Sequence, residues 1–243
     1  MSASQAASNV DRPHLVLSLS TSTPQISLST PPGHDVLSLT VHAQRTSSQP
    51  ITLCTAGSVL DNGHHARHDG VFRGAFLPLT STSDPNRKIQ LHFSGFPNYG
   101  SLPNASANLR ERDYLRFETV PSEGEGELAV THAISMERLF RYSNLKLENV
   151  KQGEKFVVSM NPKKLGSTEG WWTWGALEGD LSGKKFAKWE LPDRNGEIGN
   201  LMPGEKSPDV PAMEREGWVF SEAFDGLKIE KCEDEELVVE FIQ

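Results

Sequence analysis

The sequence has no long apolar run, and this absence excludes a class of protein. No apolar segment approaches the roughly 20 residues that span a bilayer, so we expect no membrane association. The first twelve residues are small and polar, without the basic and apolar regions of a signal peptide. These absences predict a cytoplasmic protein.

Cysteine is scarce, with only Cys54 and Cys232 in the chain. The two residues can form a disulfide if their strands are neighbours, as happens in many secreted β-proteins. The alternative is a pair of free thiols in a reducing compartment, and the missing export signal favours it.

Concentrated positive charge is also missing. The formal net charge is −8, the acidic excess lies in residues 121–243, and the arginines of the first half are scattered. Nucleic acid requires a basic surface, so we do not expect it as a partner. The sequence also has no Gly-x-Ser-x-Gly elbow, Walker loop, Gly-x-Gly-x-x-Gly or Cys-x-x-Cys motif.

Short runs of alternating apolar and polar residues are what the sequence does have. A period of two indicates an extended segment with one buried face, and residues typical of turns separate the runs. About ten such runs, without a long helical pattern, predict an all-β fold, specifically an immunoglobulin-like antiparallel β-sandwich. The runs fall near 14–20, 25–30, 36–43, 50–55, 71–77, 88–94, 113–119, 127–134, 156–160, 171–174 and 236–241.

The predicted organisation is one domain preceded by a tail. Residues 1–12 are expected to be a flexible N-terminal tail, and 13–243 a single sandwich domain. Residues 176–217 are rich in glycine and proline and show few alternating runs. We therefore expect a long irregular insertion there, with a short helix near 208–215.

Several stretches resemble immunoglobulin-like β-sandwich proteins of filamentous fungi. The stretches are Gln49-Pro50-Ile51-Thr52-Leu53 with Leu60-Asp61, Tyr114-Leu115-Arg116-Phe117, Gly126-Glu127-Leu128 and His132-Ala133-Ile134-Ser135. The pro-regions of fungal deuterolysin-type metalloproteases share a loosely similar pattern, but the His-Glu-x-x-His motif of the protease is absent. The likeness covers about residues 13–175. The resemblance implies a fold and a fungal source, and it carries no catalytic residue.

A histidine-rich segment is the first candidate site. Three imidazoles and a carboxylate lie within six residues, and imidazole is a preferred ligand of zinc and similar divalent ions. A strand nearby in sequence contributes a further histidine. The predicted metal ligands are therefore His64, His65, His68, Asp69 and His92. The alternative is a solvated polar loop, because adjacent side chains of an extended segment point apart.

An aromatic run supplies the second candidate, a ligand-binding surface made by Trp171, Trp172 and Trp174. On a strand, Trp172 and Trp174 share one face and Trp171 lies on the other, so at least one face must be buried. The other can offer aromatic surface to an apolar ligand, a sugar ring or a partner protein. The alternative is that the rings seal the sandwich under the 176–217 segment.

His132 and Asp69 are the candidates for catalytic residues. His132 is in phase with the apolar residues of its run and is therefore predicted to face inward. An inward histidine acts either as an acid–base group or, as the alternative, as a hydrogen-bonded part of the core.

Two functions follow from these observations. The first is an intracellular binding or interaction protein without a recognisable catalytic motif, whose partner is a protein or a small apolar ligand. The second is a metal-dependent or acid–base enzyme of fungal secondary metabolism, with a loop-lined pocket near His64–Asp69. Nothing in the sequence indicates the oligomeric state.

Overall fold

The computed structural model describes most of the chain and consists mainly of β-strands. The described residues are 13–63, 70–92, 106–167, 169–193, 195–223, 226–232 and 236–243. Within them the chain forms fourteen strands, two short α-helices and three 3-10 turns. No helix in this part of the chain is long and apolar enough to cross a membrane. The prediction of an all-β fold is therefore confirmed.

The strands occur along the whole chain, with the helices in its second half. The strands are β1 (His14–Thr21), β2 (Gln25–Ser27), β3 (Asp35–Arg45), β4 (Ile51–Cys54), β5 (Leu79–Ser81), β6 (Lys88–Ile89), β7 (Phe117–Val120), β8 (Leu128–Ser135), β9 (Lys155–Val158), β10 (Trp172–Trp174), β11 (Lys185–Glu190), β12 (Trp218–Ser221), β13 (Lys228–Lys231) and β14 (Leu237–Ile242). The helices are α1 (Met136–Phe140) and α2 (Val210–Arg215), and the 3-10 turns are Leu109–Glu111, Leu147–Asn149 and Pro162–Lys164.

The first sheet has the strand order β13-β1-β3-β8. Its central pairs, β1 with β3 and β3 with β8, are antiparallel. The alternation places Leu15 and Leu17 inward, where both are fully buried, and leaves Ser18 and Ser20 exposed on the other face. One face of this sheet is therefore apolar, and the other is polar and open to solvent.

The second sheet has the order β2-β14-β9-β5-β6. Its inward residues include Phe156 and Phe241, whose rings meet edge to face with centroids 5.5 Å apart. Together with Leu17, Leu39 and other residues of the first sheet, they form the main apolar core. Burial of each such side chain contributes roughly 1.5–3 kcal/mol, so this core is the main source of stability.

Two smaller sheets extend the structure beyond the main core. They have the orders β10-β4-β7 and β11-β12. A second apolar cluster, which includes Cys54, Trp171 and Phe186, joins residues of both sheets. The chain after Trp174 is therefore attached to the rest of the protein by aromatic packing.

Three strand pairs in the described part of the chain are parallel, which the prediction of an antiparallel sandwich did not include. They are β1 with β13, β2 with β14 and β11 with β12. Each pair joins segments far apart in sequence, so no hairpin imposes the antiparallel direction. The remaining strand pairs in the described residues are antiparallel.

The segment 176–217 is more regular than predicted. It contains β11, which the alternation did not reveal because the adjacent residues Phe186 and Ala187 are both buried. Its helix, α2, lies within the predicted range 208–215. The Asp209 side chain accepts a hydrogen bond from the Ala212 amide, and Pro211 occupies the first turn, as expected at a helix start.

The strand predicted at 71–77 is wrong. The chain turns there instead, and only Phe76 forms an isolated bridge, with Met160. Gly74 has a φ of 83°, a left-handed conformation that breaks an extended run. Of the run predicted at 88–94, the described part is a strand only at Lys88–Ile89, and 93–94 lie outside the described residues.

Candidate functional site

Most of the predicted metal ligands lie outside the described residues. These are His64, His65, His68 and Asp69, for which zinc binding stays a prediction. His92 is described, and both of its ring nitrogens lie near Gln90 Nε2, at 2.9 and 3.1 Å. Burial lowers the pKa of His92, which favours a neutral ring. No three histidine, cysteine or acidic side chains in the described part are grouped so that they could hold a metal ion.

The structure places His132, the other catalytic candidate besides Asp69, inside the core. Its side chain is in β8, and the residue is 4% exposed. Nε2 lies 2.7 Å from the Val59 carbonyl oxygen and therefore donates to it, while the ring meets Phe76 edge to face with centroids 5.2 Å apart. This environment favours the alternative of a hydrogen-bonded core histidine.

Trp171 and Trp172 are buried, with residual exposures of 3% and 4%. Trp171 stacks on Phe186 with centroids 4.4 Å apart, and its Nε1 donates to the Ala187 carbonyl. The Trp172 Nε1 donates to the Ala223 carbonyl. Their burial favours the alternative in which the rings seal the sandwich under the 176–217 segment.

Trp174 differs from its two neighbours because it is only half-buried. Its ring meets Trp172 edge to face on one side, with centroids 5.7 Å apart. The Arg45 guanidinium carbon lies 5.7 Å from the Trp174 ring centroid. Of the three predicted ligand-binding tryptophans, Trp174 alone is not buried.

Arg45 is the unexpected member of this region, which we call the Arg45 cap and define as Arg45, Ser47 and Trp174. Arg45 follows the inward residues Val41 and Ala43 in phase and is 5% exposed. Its Nη2 donates to the Ser47 carbonyl oxygen at 2.8 Å. Burial lowers the pKa of Arg45, but an arginine remains protonated at neutral pH.

Three side-chain atoms of the Arg45 cap lack a hydrogen-bond partner in the part of the chain that the structure describes. Arg45 Nε and Nη1 and the Ser47 hydroxyl make no hydrogen bond within the described residues. A buried polar group without a partner costs about 1–3 kcal/mol, and a charged one costs more. Among the described residues, the cap therefore holds unused hydrogen-bond donors on a buried cation that lacks a carboxylate partner and contacts the Trp174 ring. This combination favours an anion.

Sequence reasoning missed Arg45, although the alternation contained the signal. Extension of the period of two from Val41 and Ala43 places residue 45 on the buried face. The charge of arginine instead favours the solvent face, so the sequence alone does not indicate a buried cation there.

A second polar arrangement lies on the exposed face of the first sheet, formed by Ser20, His42, Gln44 and Glu127. Ser20 Oγ is 2.7 Å from His42 Nε2, and His42 Nδ1 is 2.6 Å from Glu127 Oε1. Gln44 Nε2 donates to Glu127 Oε2 at 3.0 Å. We call these four residues the outer-face network.

No disulfide joins Cys54 and Cys232, so the disulfide alternative is not realised. Cys54 is buried, and desolvation raises the pKa of its thiol to about 11. It therefore remains protonated near neutral pH and is a poor nucleophile.

Comparison of the chain with family models, curated proteins and solved structures finds no significant match. The Arg45 cap and the outer-face network are therefore the candidate sites for function.

Proposed function

We propose that this protein is a binding protein with an immunoglobulin-like sandwich, and that its ligand is a small organic anion with an apolar body. The observation that carries the proposal is the buried Arg45 guanidinium with two unused nitrogen donors. A ligand that supplies an anionic group to these donors removes the cost of the unpaired charge.

The order of the strands supports the immunoglobulin-like part of the proposal. β1, β3 and β8 pair in one sheet, and β14, β9, β5 and β6 pair in the other. The same division of strands occurs in immunoglobulin sandwiches, in which strands A, B and E face strands G, F, C and C′. The smaller sheets are then additions to this framework.

The half-buried Trp174 ring supports an apolar ligand body. An aromatic face beside a guanidinium suits a molecule that has both an apolar part and an anionic group. The free aromatic surface of the cap is that of one side chain. A stable protein interface buries about 800 Å² on each partner, so the cap favours a small molecule over a protein.

The cover over Arg45 determines how a ligand enters. The turn after β3 is exposed at Thr46, Ser48 and Gln49, whereas the guanidinium beneath it is not. Entry therefore requires a shift of this turn or of the Trp174 ring. Such a requirement slows association relative to an open site.

Calorimetric titration with benzoate and octanoate tests the proposal, with benzyl alcohol and octanol as neutral controls. We expect saturable binding of at least one carboxylate, no binding of the alcohols, and at least a tenfold loss of affinity in Arg45→Met. Arg110→Met is the matched control, because Arg110 also lies over an aromatic ring, 4.3 Å from the Phe186 centroid. Absence of carboxylate binding, or equal binding by Arg45→Met, would overturn the proposal.

A further inference from the structure

The outer-face network has the connectivity of a nucleophile, a base and an orienting acid. Ser20 Oγ contacts one ring nitrogen of His42 at 2.7 Å, and Glu127 contacts the other at 2.6 Å. The second oxygen of Glu127 is held by Gln44 at 3.0 Å. A serine, a histidine and a carboxylate connected in this order form the basis of acyl transfer on several unrelated folds.

The hydrogen bonds determine which nitrogen of His42 carries the proton. The Gln44 and His42 hydrogen bonds keep the pKa of Glu127 below its usual range, so Glu127 is ionised at neutral pH. An ionised carboxylate only accepts hydrogen bonds, so Nδ1 of His42 must donate to it. In the neutral ring Nε2 is then the acceptor, and the Ser20 hydroxyl donates to it. This is the tautomer in which histidine acts as a general base toward serine.

The network lies on a face that substrates can reach. Ser20 is exposed, and the side chains of His42 and Glu127 are 25% and 34% exposed. The strand register places Ser18 directly opposite His42, and Ser20 two residues further along, opposite Thr40. The imidazole nevertheless forms its hydrogen bond with Ser20 and not with Ser18. The contact with His42 is therefore specific to one of two similar serines.

We propose that Ser20 is a nucleophile for activated acyl groups, with His42 as its general base and Glu127 as a positioning residue. The Ser20 proton passes to His42 Nε2 as Oγ forms a bond to the acyl carbon. The bond from that carbon to the leaving oxygen breaks, and the leaving group takes the proton from His42. Water then hydrolyses the acyl-serine ester with His42 again as base, which releases a carboxylic acid and restores Ser20.

The surrounding backbone restricts the class of substrate. The amides of β1 and β3 lie in the plane of the sheet, where they form the ladder between the two strands. They do not supply the paired backbone donors that stabilise an oxyanion in efficient hydrolases. We therefore expect the reaction only with acyl groups that have good leaving groups, such as aryl esters. Amides, which have poor leaving groups, should not react.

Labelling with a fluorophosphonate, which loses fluoride when a serine attacks its phosphorus, tests Ser20 directly. We expect one adduct per wild-type chain, located on Ser20 by peptide mass spectrometry. Ser20→Ala should abolish it, and His42→Ala should lower the labelling rate by about 100-fold. With p-nitrophenyl acetate, Ser20→Ala should likewise lower the rate of p-nitrophenol release to that of the buffer.

The role of Glu127 is tested by a pair of variants. Glu127→Gln should lower the labelling rate by about 10-fold or more, because it no longer favours the reactive tautomer. Glu127→Asp should restore part of the rate. Partial rescue by the shorter carboxylate distinguishes positioning from a general loss of packing.

Two matched controls lie on the same face of the sheet. Ser18→Ala removes the serine opposite His42, and His14→Ala removes a second His–Glu pair, in which His14 Nε2 lies 2.7 Å from Glu230. Both variants should label at the wild-type rate. Absence of an adduct on the wild-type protein, an adduct at another residue, or equal rates for Ser18→Ala and Ser20→Ala would overturn the proposal.

Discussion

Arg45 and Arg87 place the same cationic group in two different environments. Arg87 Nε and Nη2 donate to the two oxygens of Glu154 at 2.6 and 2.9 Å, and Nη2 also donates to the Asn149 carbonyl. Arg45 has one backbone carbonyl as its hydrogen-bond partner and is 5% exposed. Within the described residues, the more exposed arginine thus has a carboxylate partner and the buried one has none.

The difference separates a structural ion pair from a candidate ligand site. The Glu154 side chain is 5% exposed, so Arg87 compensates a carboxylate that would otherwise be buried alone. Glu154 immediately precedes β9, and Arg87 immediately precedes β6 in the same sheet. The pair therefore stabilises this end of the second sheet, whereas Arg45 imposes a cost that the described residues do not compensate.

Removal of Arg87 should have the largest effect on stability. Arg87→Met leaves the Glu154 carboxylate buried without its cation, a situation that is strongly destabilising. We expect the melting temperature to fall by about 5 °C or more, as measured by calorimetry. The double variant Arg87→Met, Glu154→Met should recover much of this loss. Equal losses in the single and double variants would show that the unpaired Glu154 carboxylate is not the cause of the destabilisation.

Removal of Arg45 should have the opposite effect and stabilise the protein. Arg45→Met removes buried donors without partners, so the free energy of unfolding should rise by about 1–3 kcal/mol in the absence of ligand. Urea denaturation measures this change. Arg45→Lys keeps the charge and should show no such gain. If Arg45→Met destabilises the protein instead, the guanidinium is already compensated, and the contrast with Arg87 is wrong.

Acid should weaken the Arg87 region selectively. Hydrogen bonds from Arg87 hold the pKa of Glu154 below its usual range. The stabilisation is complete above the unfolded pKa of about 4.3 and is lost as the pH falls through the lower folded value. Glu154→Gln should therefore lose less stability than the wild type when urea denaturation is repeated below about pH 4.3. Parallel acid curves for the two proteins would contradict this assignment.

The alternation was sufficient to predict the main core but not the contacts at its surface. Leu15, Leu17, Phe156 and Phe241 all lie on the faces that the period of two assigns to the interior. The sequence does not predict β12 and β13, because each strand is only four residues long, too short to show a clear alternation of apolar and polar residues. A short strand whose partner is distant in sequence depends on tertiary pairing and not on its own pattern.

The candidate sites were harder to predict than the fold because they depend on register. Ser20, His42 and Glu127 belong to or adjoin three different strands, and they meet only in the observed pairing of β1, β3 and β8. A shift by one residue would place their side chains on the opposite face. The periodicity indicates which face each residue occupies, but not which residues are opposite one another.

The smallest expected effect concerns the contact between Arg45 and Trp174. A double-mutant cycle with Arg45→Met and Trp174→Leu should give a coupling free energy of about 0.5–1 kcal/mol, the usual range for a cation near an aromatic ring. The matched cycle uses Arg110→Met and Phe186→Leu, because those residues are in similar contact. A coupling well above this range at Arg45 would mean that Trp174 stabilises most of the buried charge. The cap would then need no ligand, and Arg45 would be a structural residue like Arg87 with an aromatic partner in place of a carboxylate.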